Sequence, residues 1–570
     1  VKIIIDETWL AEIKKFLTPD EKESVERQFR WTTGKGKVKL SIADWSDGSI
    51  QKLHDFLGVE ADNGNLSAKR SQTAVWQWIE IKTNPNGQSV SKLENVEPAM
   101  KKYIGASEHR YLFQETKDEN FVPWFVEKIV YHEATQHSPA HVNVELLAIN
   151  SGGEAKRHRG QQSYVEGKSF SIGTEDIRKR TMSQILEAEG YFLETPERMA
   201  SYEKEMVRFV EFCDQDGFQM SVTGKGYLMD GWSRREFRTV GQNGRPAKMV
   251  IDPPERERES NTVYAEYWDK NEEHVWQVPV QPIYEMFDLE EHADYRIHVN
   301  NAEPYVYDDK VDQKLVLPQD VKDFLTVLIE HSKNKFEDIV GGKEGGTIVL
   351  IEGLPGIGKT LTAEVYSEKM HRPLYKVQSS QLGISVKDIE ENLKTVLQRS
   401  ERWGAILLID EADVYIHMRG DDIVQNAIVG VMLRVLEYYR GVLFMTTNRG
   451  TIVDDAIISR TMARFLYQMP NESEQKQLWR VLSEQNGIQM SDEQIDQIVK
   501  TLSNISGRDI KNLLKLAMVA AENVRGVVTP ELVKMVSKFK QSGTTGSGRT
   551  SGLIPDRKTR PISRDEKEWE

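Results

Sequence analysis

Two short runs of this sequence carry residue types whose spacing can do chemistry on phosphate. The first is Gly353, Leu354, Pro355, Gly356, Ile357, Gly358, Lys359 and Thr360, which fits G-x-x-x-x-G-K-[ST] without a gap. It follows the apolar run TIVLIE and leads into LTAEVYSEKM, a strand–loop–helix context. Glycines let such a loop curl until its backbone N–H groups face phosphates. The helix N-terminus adds a field that favours anions. Lys359 is expected to reach the β- and γ-phosphates, and the Thr360 hydroxyl to hold Mg2+. ATP and Mg2+ are therefore the expected ligands.

The second run is AILLIDEAD, residues 405–413. Its apolar strand ends on Asp410, which is expected to bind Mg2+ through a water. Glu411 follows and can polarise the attacking water as general base. The letters DEAD suggest a nucleic-acid helicase, yet any ATPase that ends a buried strand on two carboxylates reads the same way. A further strand, GVLFMTTN, ends on Asn448, whose amide is expected near the attacking water. Downstream come AIISR, ending on Arg460, and TMAR, ending on Arg464. A guanidinium offers planar, fixed donors to a γ-phosphate. On the face away from its own site, it would serve a neighbouring subunit as an arginine finger in trans. Residue type and spacing leave both arginines open.

Other chemical signals are weaker. HEATQH (132–137) resembles a zinc-protease helix, but its histidines are not at i and i+4, so they do not share a helix face and no metal is expected there. The basic KRHR (156–159) reads as a solvated loop and WSRREFR (232–238) as an exposed strand face. The chain has a net charge of −14, with 39% hydrophobic and 29% charged residues. Phosphate repels such a chain, which makes it a poor passive binder of nucleic acid. The one cysteine, Cys213, forbids an internal disulfide and reads as a small helix residue in a reducing compartment. No run of about 18 apolar residues offers a membrane span. The start, VKIIIDETWLAEIKKFL, is too charged for a secretion signal. The cytoplasm is the expected location.

These residues need elements to position them, and 570 residues exceed one ordinary core. Residues 1–100 form a mixed region in which AVWQWIEIKT (74–83) reads as a strand. Residues 101–217 read as mixed and then helical, with long helices over 176–215 broken near Thr195 and Pro196. Residues 218–312 read as β-rich, with Tyr295, Ile297 and Val299 alternating. Over 316–469 five short apolar runs alternate with helices, which predicts a parallel sheet covered on both faces. Residues 470–540 read as all-helical. The tail, 541–570, opens with QSGTTGSGRTSG and reads as a flexible linker followed by a charged end.

Together GLPGIGKT, LLIDEAD, TTN and the late ISGRDIKNLLKLA resemble the AAA family of P-loop ATPases over about residues 316–540. The resemblance implies an α/β P-loop domain with strand order 5-1-4-3-2 and a small helical lid. It also implies a ring, often a hexamer, with sites between subunits. Of the two arginines it favours Arg460 as the finger over Arg464. It places a nucleotide-sensing residue in the lid at Arg508 or Lys511. The wording LGISVKDIEENL, LLIDEADVYI and LRVLEYYRGVLFMTTNR is most similar to a little-characterised fungal and bacterial branch with a large divergent region ahead of the ATPase. The segment VPVQPIYEMFDLEEHADYRIHVNNAEPYVYD resembles what precedes the ATPase there. The sequence departs from the polypeptide-threading members of the family in one loop. Residues 379–388 carry no aromatic side chain, and Ile384 and Val386 offer weaker apolar contacts, which counts against processive threading. The adenine pocket is expected around Ile339 and Val340.

The function these features predict is ATP-driven, chaperone-like remodelling of a protein or protein complex selected by the N-terminal region. An ATP-gated assembly scaffold and a nucleic-acid-dependent ATPase are the alternatives.

Overall fold

The computed structural model describes residues 2–541 apart from 30–36, 43–44, 64, 66–67, 70, 73–74, 76–78, 80–86, 150–154, 159–160, 231–233, 242–243, 254–263, 267–274, 331–345, 384, 449–452 and 524–527. The chain forms two compact units. One is Val1–Tyr307 together with Arg399–Ala405, the other Asp308–Gln398 together with Ile406–Glu570.

The first unit opens with a small core of its own. Strands Lys2–Asp6 and Lys37–Ser41 pair antiparallel. Helices Leu10–Phe16, Pro19–Phe29 and Asp47–Asp62 supply Ile13, Val25, Leu53 and Leu57 to the buried cluster that holds Ile5 and Leu40. The run at 74–83 corrects the sequence expectation. Its two described positions, Val75 and Ile79, are helical and pack on that core. They stand four apart, so one short apolar run fits a helix face as well as a strand.

Next comes a six-stranded antiparallel sheet in the spatial order Ala155–His158, Gln161–Ile172, His141–Ile149, Phe121–His132, Tyr111–Glu115, Tyr191–Leu193. Along His141–Ile149 alternate residues Val142, Val144, Leu146 and Ala148 join one buried cluster with helices Val96–Gly105 and Met182–Ala188. Leu147 and Ile149 join another with Phe113 and Phe125. This alternation is the period-2 logic of a sheet packed on both faces. Three expectations change here. The stretch 176–215 is not two abutting helices, because strand Tyr191–Leu193 intervenes between Met182–Ala188 and Pro196–Phe212. Residues 156–158 of the basic KRHR run are strand rather than loop. His132 closes a strand and His137 lies in the connection after it, so HEATQH forms no helix.

A seven-stranded antiparallel sheet follows, in the order Arg234–Val240, Gly224–Asp230, Ala293–His298, Ile283–Asp288, Ala247–Ile251, Gln219–Val222, Ala302–Pro304. Tyr295, Ile297 and Val299 are buried as their alternation predicts. Arg296 and His298 between them are buried too, so the strand has no solvent face. Arg296 is held there by Glu285 at 3.3 Å and Glu166 at 3.8 Å.

The second unit carries the predicted parallel sheet. Its order is Leu374–Gln378, Ile406–Asp410, Val442–Thr447, Thr347–Glu352, Ala463–Leu466, and every pairing is parallel. Read from the far edge and numbered along the chain, this is 5-1-4-3-2. The central strands Thr347–Glu352 and Val442–Thr447 are buried along their whole length. Their continuous apolar runs arise because a parallel sheet is covered on both faces. Four helices follow, Glu472–Gln485, Asp492–Thr501, Gly507–Asn523 and Pro530–Gln541, packed around Trp479, Ile498, Ile510, Leu514 and Val533. Two of them start in reciprocal capping boxes, Asn471 with Glu474 and Ser491 with Gln494. Among the described residues no helix is long and apolar enough to cross a membrane.

Candidate active site

The phosphate loop leaves strand Thr347–Glu352 and ends in helix Lys359–Lys369. Gly358, the residue before that helix, has φ +100°, a left-handed conformation that L side chains adopt at a cost of about 1–2 kcal/mol. Gly356 has φ +81°, and a Cβ there would lie 2.8 Å from the Cβ of Arg508. Leu354 and Pro355 are exposed, while Ile357 packs against the sheet core. Lys359 is folded down into the loop. Its ammonium donates to Gly353 O at 2.7 Å, Leu354 O at 2.8 Å and Asn448 Oδ1 at 2.7 Å. Burial pushes its pKa down, against the pull of Asp410 and Asp413.

Asp410 ends strand Ile406–Asp410 and is ringed by donors. Thr446 Oγ1 lies at 2.6 Å, Thr360 Oγ1 at 3.0 Å and Lys376 Nζ at 3.2 Å. Burial alone would raise its carboxyl, but these hydrogen bonds and the Lys376 charge outweigh burial and hold it below the usual carboxylate range. A hydroxyl and a carboxylate converging at 3.0 Å form a hard oxygen set. Such a set suits a small divalent cation like Mg2+, which keeps several of its waters.

Glu411 has φ +54°, an uncommon backbone state for a residue with a side chain. Its N–H donates to Thr446 Oγ1 at 3.0 Å, and the N–H of Ala412 to Thr446 O at 2.8 Å. Thr446 therefore fixes the turn in which the Glu411 side chain stands exposed. Strain of this kind persists only where its surroundings over-determine it, and it gathers at working sites. Asn448 follows strand Val442–Thr447, which lies between the phosphate-loop strand and the Asp410 strand. Asp413 steadies this end. It accepts a hydrogen bond from Thr447 Oγ1 and another from Asn448 N at 3.3 Å.

The arginines separate. Arg464 lies on strand Ala463–Leu466 and pairs with Glu352, donating from Nε and, at 3.1 Å, from Nη2. Glu352 is completely buried. Arg460 sits just past the short helix Asp455–Ile458, donates to Ala456 O at 3.1 Å and lies 3.8 Å from Glu437. Arg508 does come to the loop, because its N–H donates to Gly356 O at 3.0 Å. Lys511, three residues further along helix Gly507–Asn523, is exposed. Val386 begins helix Val386–Arg402, while Ile384, Ile339 and Val340 lie outside the described residues.

Sequence reading missed Lys376, Asp413, Thr446 and Glu352. Lys376 is the one charged residue in the strand LYKVQ, and that interruption of an apolar pattern was the available signal. Thr446 is the first Thr of the TTN run itself. Asp413 begins the short helix Asp413–Ile416 after the strand.

Comparison with known proteins agrees with this geometry. Residues 349–469 match the family described as "ATPase family associated with various cellular activities (AAA)". The chain is 28% identical over 207 residues to a 26S proteasome regulatory subunit homolog of Methanothermobacter thermautotrophicus, an alignment taking in 34% of this chain and 55% of that protein. It is 24% identical over 257 residues to the ATP-dependent zinc metalloprotease FtsH of Ureaplasma parvum, with 43% and 35% covered. The chain thus spans about half or less of these relatives. A chain of the E. coli MS115-1 HORMA:CdnC:Trip13 complex aligns at 17% identity and a TM-score of 0.34, over 43% of this chain and 94% of that one. The phosphate loop, the paired carboxylates, the five-stranded parallel order and the family match converge on one conclusion: the C-terminal half of the chain carries an ATPase domain of the AAA family.

Proposed function

We propose that the chain is an ATP-hydrolysing remodelling enzyme that assembles into a ring of its own copies and acts on a protein or protein complex chosen by the residues ahead of its ATPase domain. The observation that carries this reading is the convergence of Lys359 on Asn448 at 2.7 Å and of Thr360 on Asp410 at 3.0 Å, at the end of one parallel sheet.

In the proposed reaction the loop from Gly353 to Thr360 wraps the phosphates, and Lys359 exchanges its carbonyl partners for phosphate oxygens. Thr360 and Asp410 would hold Mg2+, which when bound neutralises phosphate charge. Glu411 takes the proton of the attacking water, and Asn448 orients that water. Arg460, partly exposed and held by one backbone carbonyl and a long contact to Glu437, reaches the γ-phosphate of a neighbouring copy. Arg508, already against Gly356, reports the bound nucleotide to the lid, with Lys511 the second choice. The names of the two relatives refer to a proteasome and a protease, which supports polypeptide as the target. The lack of an aromatic residue in 379–388 supports remodelling without processive threading.

The test uses Glu411→Gln, which should trap ATP-bound assemblies. Affinity capture on that variant, read by mass spectrometry, should enrich a protein partner over a Lys359→Ala control. The partner should then stimulate wild-type turnover. No enrichment would count against remodelling. Assembly function that survives without hydrolysis would mark a scaffold, and stimulation by nucleic acid with steep salt dependence would mark a nucleic-acid-dependent ATPase.

A further inference from the structure

We propose that Lys376 is the resident counter-charge of Asp410 and sets how strongly nucleotide binding depends on Mg2+. The inference rests on the reading of Thr360 and Asp410 as the Mg2+ donors and deepens it.

Strand Leu374–Gln378 lies beside Ile406–Asp410 in parallel register, with Gln378 opposite Asp410 and Lys376 opposite Leu408. Side chains two positions apart share a face of the sheet. Lys376 therefore starts one step behind Asp410 on the same face, and its four-carbon stem carries Nζ to 3.2 Å from Asp410 Oδ2. The side chains of Lys376 and Asp410 are 34% and 17% exposed, so water screens the pair only in part. The other side chains on Asp410 are neutral hydroxyls, Thr446 at 2.6 Å and Thr360 at 3.0 Å. Among the described residues Lys376 is the one cation within ion-pair distance of Asp410. Lys359 is engaged elsewhere, with two carbonyls and Asn448.

Two consequences follow from charge alone. A dication held by Asp410 must share that carboxylate with an ammonium that repels it. A nucleotide arriving without metal meets an extra positive charge near its phosphates. Lys376 thus weakens Mg2+-loaded binding and strengthens Mg2+-free binding, and both effects narrow the gap between them. It acts through the charge it lends Asp410 and the site and is a positioning residue, since no contact with phosphate is required of it.

The experiment titrates a fluorescent ADP against full-length wild type, Lys376→Met and Lys376→Arg, once in excess MgCl2 and once in EDTA. The ratio of the EDTA Kd to the MgCl2 Kd should rise about tenfold in Lys376→Met, the scale of one partly screened charge at this separation. Lys376→Arg, which keeps the charge, should stay within about twofold of wild type. Lys376→Gln, polar and of similar length to Met, should follow the Met variant and guards against loss of folding, which thermal unfolding reports directly. A ratio that is unchanged or lower in both neutral variants overturns the proposal. Wild-type ADP binding that is indifferent to Mg2+ would instead remove the Mg2+ reading itself, and the proposal with it.

Discussion

Arg464 grips the carboxylate of Glu352 with two guanidinium nitrogens, at the point where the central strand passes into the phosphate loop. Glu352 has no solvent exposure, and the pair spans 112 positions of the chain. Arg464→Ala should therefore act on stability, leaving a buried carboxylate without its partner. A loss of about 2 kcal/mol is expected, below the figure for a fully buried pair because the Arg464 side chain is 43% exposed. Thermal unfolding reads this. A variant as stable as wild type would mean that the pair does not hold the strand end.

Arg460→Ala should behave in the opposite way. Its contacts are a carbonyl and a long, half-exposed pair with Glu437, so stability should change little. Turnover should fall on the order of a thousandfold, as when an arginine finger is removed. Mixing Arg460→Ala with Glu411→Gln should restore some activity, because sites that combine one good half from each copy then form. No rescue at any ratio would argue against a finger shared between copies.

Gly356→Ala tests the seat of Arg508. The added Cβ would lie 2.8 Å from the Arg508 Cβ, on a backbone with φ +81°. Strain of about 1–2 kcal/mol should weaken ADP binding about tenfold. The stabilisation that ADP gives in thermal unfolding should shrink accordingly. Unaltered ADP affinity would show that this contact between loop and lid is not needed for binding.

How much of this was legible in the sequence differs from residue to residue. Gly353 to Thr360, Asp410, Glu411 and Asn448 could be found because each lies on a local motif at the end of an apolar strand. The order of the parallel strands came through the family resemblance those motifs carry. Lys376 and Arg464 meet their partners only across neighbouring strands, so spacing along the chain holds no trace of either pair. The N-terminal half was the hardest to read. Val75 and Ile79 fit two periodicities at once, and Arg296 and His298 are polar residues buried in a strand that looked half-exposed. The burial of Arg296 depends on partners such as Glu166, far away in sequence.

The N-terminal core should show an acid dependence of its own. Burial by itself would raise the Glu21 carboxyl, but the N–H groups of Ser46 and Thr18 and the hydroxyl of Ser49 outweigh it and hold the pKa at about 2. A depressed carboxyl favours the fold while it is ionised. Its contribution is thus complete above the ordinary value of 4.5 and fades as pH falls toward 2. Glu21→Gln should cost about 2 kcal/mol at pH 7, and the difference from wild type should narrow below pH 4.5. Hydrogen exchange of the helices at residues 10–29 measures it. A gap independent of pH would assign the loss to packing.

The most direct measurement compares ATP turnover and ATP binding in wild type and Glu411→Gln. Loss of a positioned general base should lower kcat on the order of a hundredfold or more. ATP affinity should stay within about threefold of wild type, a change of less than ~1 kcal/mol, because Lys359, Thr360 and Asp410 are untouched. Near-normal turnover by Glu411→Gln would contradict the assignment of Glu411 as the base.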